Sequence, residues 1–124
     1  MIPKISEAEL AVMKILWERE TATSTQIIDA LLKTTDWKPK TIQTLITSLV
    51  SKAAVTADKT NPKMFLYRAE VSREQYMAAE NQSFLQRVYD NSMKMMLATF
   101  VREQKLTDED FAELQALLKS EKKI

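Results

Sequence analysis

Residues 38–52 contain the short polar side chains whose types and spacing best suit the binding of a ligand by hydrogen bonds. Apolar residues recur among them every three or four positions, which predicts one helix with a buried stripe and an exposed polar face. Hydroxyl and amide groups both donate and accept hydrogen bonds, and lysines attract phosphates, so such a face suits base edges and a nucleic acid backbone. We therefore predict a DNA-recognition helix, whose outer face carries Lys40, Gln43, Thr44, Thr47, Ser48 and Ser51.

Positive charge is concentrated on this helix and the segment that follows it. Residues 38–68 contain six basic side chains against Asp58 alone, a net charge of +5, whereas the whole chain carries +1. A basic surface of this kind is the electrostatic footprint of a site for a polyanion, although a solvated basic face would look the same. We predict phosphate contacts from Lys38, Lys52, Lys59, Lys63 and Arg68, and contacts near phosphates or base edges from Lys40 and Thr41.

Composition excludes most catalytic and cofactor chemistry. The 124 residues include no cysteine, histidine or glycine. They therefore provide no thiolate, no imidazole base or metal ligand, and no glycine-rich phosphate loop. We predict a protein that is not an enzyme and that binds no metal or cofactor. Because no apolar run is long enough to cross a bilayer and no signal peptide opens the chain, we expect a cytoplasmic protein without membrane insertion.

The elements before and after the recognition helix predict a winged helix-turn-helix domain over residues 1–71. Ser6 and Glu9 form a capping box that opens a first helix, which is apolar around most of its circumference, so Trp17 is predicted to be a core residue. Thr23 and Gln26 open a second helix in the same way. After the recognition helix, residues 55–57 and 64–68 are rich in strand formers and are separated by a turn, which predicts a two-stranded wing.

Residues 72–124 predict three further helices and complete a mainly α fold. A unit of this size makes a weak core alone and commonly gains stability by oligomerising, so we predict a dimerisation region. The alternative is that these helices fold back on their own winged domain. The apolar residues predicted to form the dimer interface are Phe84, Leu85, Val88, Tyr89, Met93, Met96, Leu97, Phe100, Phe111, Leu114, Leu117 and Leu118.

Over nearly its whole length the chain resembles the penicillinase-repressor (BlaI/MecI) family of bacterial winged-helix regulators. The most specific part of the resemblance is the run Pro-Lys-Thr-Ile-x-Thr-Leu-Ile-Thr at residues 39–47. Further matching residues are Ala8-Glu9, Val12-Met13, Ile15-Leu16-Trp17, Asp36-Trp37, Leu49, Phe65, Tyr67, Val88-Tyr89, Phe100-Val101 and Glu113-Leu114.

This resemblance implies a homodimeric transcriptional repressor that binds double-stranded DNA at inverted repeats of the TACA/TGTA kind. It also implies relief of repression by proteolysis in the dimerisation region, triggered by a membrane sensor with a zinc protease domain. The matching bond here is Thr99-Phe100, where the family has Asn-Phe. The chain also departs from the family at Gln43 and Ser48, where Arg is common, and at Ala53, where Gly usually ends the recognition helix.

Within this hypothesis, base reading falls to Gln43, Thr44 and Thr47, because Gln bonds adenine bidentately and a Thr methyl contacts the thymine methyl. Two rival functions remain open at this stage. One is a winged-helix module that binds another protein. The other is a regulator with a small-molecule pocket among its methionine-rich helices.

Overall fold

The computed structural model describes residues 2–121 and contains the predicted helices and wing. Met1 and residues 122–124, which the two predicted domains include, lie outside the described residues. The mainly α class with a two-stranded wing is confirmed. The elements are α1 (Glu7–Arg19), α2 (Ser24–Leu32), α3 (Pro39–Ser51), β1 (Val55–Asp58), β2 (Leu66–Ala69), α4 (Arg73–Tyr89), α5 (Met93–Arg102) and α6 (Asp108–Glu121).

The first two helices begin at the capping boxes that the sequence predicts. Ser6 Oγ accepts a hydrogen bond from the Glu9 backbone N–H at 3.1 Å, and Glu9 Oε1 accepts one from the Ser6 N–H at 2.8 Å. Thr23 and Gln26 make the same reciprocal pair at 3.1 and 2.9 Å. These bonds satisfy amide groups that a helix start leaves without intrahelical partners, so both starting points are fixed locally.

The wing is an antiparallel pair of strands that is also tied to the segment before α2. In the register of β1 and β2, Val55 lies opposite Ala69 and Asp58 lies opposite Leu66. The Tyr67 N–H of β2 donates to the Ala22 carbonyl at 2.8 Å, and the Ala22 N–H donates to the Tyr67 carbonyl at 3.0 Å. The wing is therefore held against the helix-turn-helix by backbone hydrogen bonds.

Helices α1, α2 and α3 enclose one core, to which the wing contributes. The apolar stripe of α3 supplies Ile42, Ile46 and Leu49, each at most 1% exposed, while Leu45 is half-buried. The same core contains Val12, Met13, Leu16, Ile27 and Val55. Burial of this stripe fixes the rotation of α3, because it leaves only the polar face exposed to solvent.

Trp17, a predicted core residue, is partly buried and packs against the edge of this core. Its indole N–H donates to the Val71 carbonyl at 2.8 Å. The centroid of its ring lies 5.7 Å from the centroid of the Tyr76 ring and 5.7 Å from the guanidinium carbon of Arg73. The first turns of α4 are therefore anchored to the winged domain through one aromatic side chain.

The chain divides into two compact units between Ala79 and Glu80, within α4. The predicted domain boundary, between residues 71 and 72, lies near the start of that helix. The division falls later because Tyr76 packs against the core of the first unit. Helix α4 therefore contributes its beginning to the first unit and its end to the second.

The second unit leaves its apolar side chains largely accessible to solvent. None of the described residues of α4, α5 or α6 is buried. Phe84 and Tyr89 make an edge-to-face contact with ring centroids 5.8 Å apart. Large exposed apolar residues of this unit are Phe84, Val88, Met93, Met95, Leu97, Val101, Phe111, Leu114, Leu117 and Leu118.

Candidate nucleic-acid interface

The outer face of α3 is a continuous polar surface opposite the buried stripe. Lys40, Thr44, Thr47 and Ser51 are all exposed and recur every three or four residues, which places them in one row along the helix. Gln43 lies half-buried beside this row. The structure thus brings together the predicted base-reading residues beside Ser51, which the sequence also predicts on the outer face.

The two threonines of this row present a defined chemistry to the outside. Thr44 Oγ1 donates its hydrogen to the Lys40 carbonyl at 3.0 Å, and Thr47 Oγ1 donates to the Gln43 carbonyl at 3.0 Å. Since each hydroxyl hydrogen is used within the helix, the groups left for a ligand are the oxygen lone pairs and the methyl groups. The row therefore offers acceptors and apolar contacts at these two positions.

The start of α3 is the positive end of the helix. Pro39 occupies the first turn, and Lys38 is the N-cap residue. A lysine side chain has no oxygen with which to cap the first amide groups, so the positive end of the helix dipole remains available to an anion. Lys38, Lys40 and Thr41 are all exposed there. This end of α3 is suited to a phosphate.

One flank of α3 is held to α1 by the buried carboxylate of Glu9, which is 4% exposed. Ser48 Oγ donates to Glu9 Oε2 at 2.7 Å, and Lys52 Nζ donates to Glu9 Oε1 at 2.6 Å. Lys52 Nζ also donates to the Lys4 carbonyl at 2.8 Å. Ser48 and Lys52, both predicted DNA contacts, are thus engaged inside the first unit.

Glu9 is ionised in this network. Burial alone would raise the pKa of Glu9, but hydrogen bonds from Lys52, from the Ser6 backbone and from Ser48 outweigh it and lower the pKa from 4.5 to about 2. A buried charge is tolerated when it is paired and hydrogen-bonded, and this one has donors from three residues. The flank of α3 is therefore fixed by charge-assisted hydrogen bonds.

The wing carries two of the predicted phosphate contacts on a turn with internal hydrogen bonds. Asp58 Oδ1 accepts from the Thr60 hydroxyl at 2.6 Å and from the Thr60 N–H at 2.9 Å, and these bonds lower the pKa of Asp58. The Lys59 ammonium lies 5.6 Å from the centroid of the Phe65 ring. Lys63 is exposed at the tip. Both ammonium groups can face a polyanion.

Arg68, the last predicted phosphate contact, lies beside a carboxylate. Arg68 Nη2 is 3.0 Å from Glu70 Oε1, which also accepts from the Thr56 hydroxyl at 2.6 Å. The Thr56 hydrogen bond and the Arg68 charge lower the pKa of Glu70. Among residues 2–121, Lys52 and Arg68 are the basic side chains in ion pairs.

Comparison with known proteins agrees with this architecture. The profile of the penicillinase repressor family matches residues 5–120. The chain belongs to this family. It is 35% identical over 121 residues to the penicillinase repressor of Bacillus licheniformis, covering 98% of this chain and 94% of that protein. It is 33% identical over 115 residues to the methicillin resistance regulatory protein MecI of Staphylococcus aureus strain N315, covering 93% of each chain.

Two solved structures of this family superpose on the chain. The solution structure of the DNA-binding domain of the repressor BlaI has a TM-score of 0.55 and 38% identity, over 61% of this chain and 92% of that one. The Bacillus licheniformis BlaI monomeric form, solved in complex with the blaP half-operator, has a TM-score of 0.54 at the same identity and coverage. The predicted family and winged fold are thereby confirmed.

The structure also bears on the predicted absences and on contacts that sequence reasoning missed. None of the helices within residues 2–121 has the length and hydrophobicity needed to cross a membrane. The described part of the chain contains no group of three or more acidic residues arranged to hold a metal ion. The sequence identifies Glu9 as a capping residue and a family match, but not as a partner of Ser48 and Lys52, because these contacts join residues 39 and 43 positions apart.

Proposed function

We propose that this protein is a sequence-specific DNA-binding transcriptional repressor that reads its operator with the outer face of α3. The observation that carries the proposal is the exposed polar row Lys40, Thr44, Thr47 and Ser51 on a helix whose other side is buried. Its fold is shared with the BlaI DNA-binding domain, a relative that has been solved on a half-operator. Because a repressor acts on DNA, a cytoplasmic location belongs to this proposal.

Each residue of the surface has a separate role in this mechanism. Gln43, Thr44 and Thr47 contact base edges in the major groove, where a Gln amide suits adenine and a Thr methyl suits thymine. Lys40 and Thr41 lie at the helix start, near phosphates or base edges. Register and orientation come from sequence-independent phosphate contacts by Lys38, Lys59 and Lys63. Ser48, Lys52 and Arg68 keep the intramolecular contacts described above.

The protein acts as a homodimer in this proposal, with the interface formed by the second unit. Its support is the exposed apolar surface of α4, α5 and α6, to which Phe111 at 53%, Leu117 at 57% and Leu118 at 56% exposure contribute. Large apolar surfaces that stay exposed to solvent commonly mark interaction sites. A second copy offers the same apolar faces, and its two-fold symmetry would match an inverted repeat in the operator.

Proteolytic relief of repression is the last part of the proposal, and it takes its support from the family resemblance. The Thr99-Phe100 bond lies within α5, where the Thr99 carbonyl accepts from the Glu103 N–H at 3.0 Å and the Phe100 carbonyl accepts from the Lys105 N–H at 2.9 Å. Local opening of α5 would therefore have to precede cleavage by a membrane sensor protease. Cleavage there would divide the proposed dimer interface.

Fluorescence anisotropy with two labelled duplexes tests the proposed function. One duplex carries a TACA/TGTA palindrome and the other a scrambled sequence, and each is titrated at several salt concentrations. We expect the palindrome to bind about 10³-fold or more tightly than the scrambled duplex, as is usual for specific readers. Equal, steeply salt-dependent binding would contradict recognition of this operator. No binding of either duplex at low salt would favour a protein-interaction module.

A further inference from the structure

The contacts of Glu9 distinguish Lys52 from the other basic residues around α3. The Lys52 side chain remains 34% exposed, whereas that of Glu9 is only 5% exposed. Two hydrogen bonds nonetheless turn the Lys52 ammonium toward α1, one to Glu9 and one to the Lys4 carbonyl. Ser48, which donates to the same carboxylate, follows Thr44 of the proposed reading row by one helical turn. The network therefore borders the DNA-reading surface directly.

We propose that Glu9 is a positioning residue of the DNA-binding surface, which holds Lys52 against α1 and keeps this cation from contacting DNA phosphates. This inference rests on the proposed function, because it concerns the same surface. It assigns Glu9 two effects. The carboxylate fixes the Ser48 side of α3, and it sets how many lysines the surface offers to the DNA backbone.

On DNA, Lys52 would have two possible partners, the Glu9 carboxylate and a phosphate. If Lys52 left Glu9 for a phosphate, it would leave a buried carboxylate without its cation, which is strongly unfavourable. A phosphate at the DNA surface keeps its hydration and condensed counterions until a protein cation replaces them. The buried carboxylate therefore competes better for Lys52 than a phosphate does.

This arrangement has a measurable consequence in the salt dependence of binding. Each phosphate that a protein neutralises steepens the plot of log K against log salt concentration by about 0.9. A lysine already paired with Glu9 contributes nothing to this slope, whereas Lys63, which is exposed and is proposed to contact a phosphate, contributes fully. Removal of the Glu9 charge should release Lys52 to contact a phosphate. The slope should therefore become steeper, although the substitution impairs the Glu9 side chain.

The experiment measures this slope on the palindromic duplex for the full-length chain and four variants. Lys52→Met should leave the slope unchanged, whereas Lys63→Met, its matched control, should make it shallower by about 0.9 per bound subunit. Glu9→Gln should make it steeper by about 0.9, because Gln keeps the capping geometry and frees Lys52. Glu9→Gln combined with Lys52→Met should restore the wild-type slope. Circular dichroism confirms that each variant is folded.

The outcomes separate this inference from the proposed function. A Glu9→Gln chain that binds more weakly with an unchanged slope would show a merely structural role and overturn the inference. A shallower slope for Lys52→Met would overturn it too, because Lys52 would then be a phosphate contact; this comparison decides alone if Glu9→Gln does not fold. Wild-type chain that binds no DNA overturns the proposed function and the inference with it.

Discussion

The amide nitrogen of Ala54 lies 3.0 Å from the carbonyl oxygen of Leu49 and closes the end of the recognition helix. The Ala53 N–H donates to the Val50 carbonyl, also at 3.0 Å, which completes a Schellman motif. This closure requires a left-handed residue, and Ala53 takes that conformation with φ 63°. A β-carbon is unfavourable in this region, so the helix ends in a strained residue where glycine is the usual choice.

Replacing Ala53 with Gly should therefore stabilise the winged unit. Relief of the β-carbon clash outweighs the greater freedom of glycine in the unfolded chain, and we expect a gain of about 1 kcal/mol in the free energy of unfolding. The measurement is urea denaturation followed by tryptophan fluorescence. Ala54→Gly is the matched control, since Ala54 is fully buried and has a negative φ, and it should destabilise by about 0.5–1 kcal/mol. Similar effects of the two substitutions would contradict the strain at Ala53.

The Glu9 network should make the stability of the winged unit depend on acid pH. Because the folded-state pKa of Glu9 is about 2 and its ordinary value is 4.5, its stabilisation is complete above pH 4.5 and is lost as the pH falls toward 2. The loss should reach up to about 3 kcal/mol for this group. Denaturant titrations between these pH values measure it. Glu9→Gln should flatten the curve, whereas Glu7→Gln removes an exposed carboxylate from the same helical turn without disturbing Ser48 or Lys52. A Glu9→Gln curve as steep as wild type would exclude this assignment.

The internal hydrogen bond of Thr44 predicts which of its groups contacts a base. Since its hydroxyl hydrogen is donated to the Lys40 carbonyl, the methyl group is the contact that DNA would lose in a Thr44→Ser variant. We expect this variant to bind the palindrome about fourfold more weakly, the value of one buried methyl group, while Thr44→Val binds within about twofold of wild type. Replacement of the contacted thymine by uracil provides the control, because it should weaken wild type and leave Thr44→Ser unaffected. The reverse order of the two variants would assign the contact to the hydroxyl.

Gln43 and Lys63 should differ in how their loss depends on DNA sequence. Gln43→Ala is expected to cost about 1–3 kcal/mol on the palindrome and to relax one base position, because the amide reads a base edge. Lys63→Ala should weaken binding to every duplex alike and lower the salt slope by about 1, because a phosphate contact carries no sequence information. Anisotropy titrations on the palindromic and scrambled duplexes measure both. An equal loss on the two duplexes for Gln43→Ala would exclude base reading.

A charge on the apolar face of α6 should separate the proposed dimer. Leu117→Asp places a carboxylate in an interface that would otherwise bury an apolar side chain, and we expect a monomer at micromolar concentration in sedimentation velocity experiments. Ala116→Asp is the matched control, because the adjacent residue points about 100° away around the helix. It should remain dimeric. A dimeric Leu117→Asp protein would exclude Leu117 from the interface.

The helix starts and the buried stripe of α3 were predictable from sequence, because the residues that form them are close together in the chain. Capping boxes such as Ser6 with Glu9 use residues three positions apart, and the buried stripe of α3 repeats within two turns. The structure confirms both. The interaction of Trp17 with Val71 was not predictable, since it joins residues 54 positions apart and depends on how α1 meets the start of α4.

The candidate site was predictable in position but not in its electrostatics. Counting charges along the chain assigns Lys52 and Arg68 to one basic segment, yet each lies within 3.0 Å of a carboxylate from outside that segment. Glu9 precedes Lys52 by 43 residues, so only folding brings the two charges together. Under the proposal made for Lys52, the charge of the segment therefore overestimates the number of cations available to DNA.

The placement of the tryptophans allows two equilibria to be followed in one sample. The protein has two tryptophans, Trp17 and Trp37, and both belong to the first unit, where Trp17 is fixed by the Val71 carbonyl. Emission excited at the red edge of the absorption band therefore reports only on the winged unit, whereas far-ultraviolet dichroism reports on the helices of both units. If the dichroism transition shifts with protein concentration and the emission transition does not, then dissociation of a dimer through the second unit is distinguished from unfolding of the first unit.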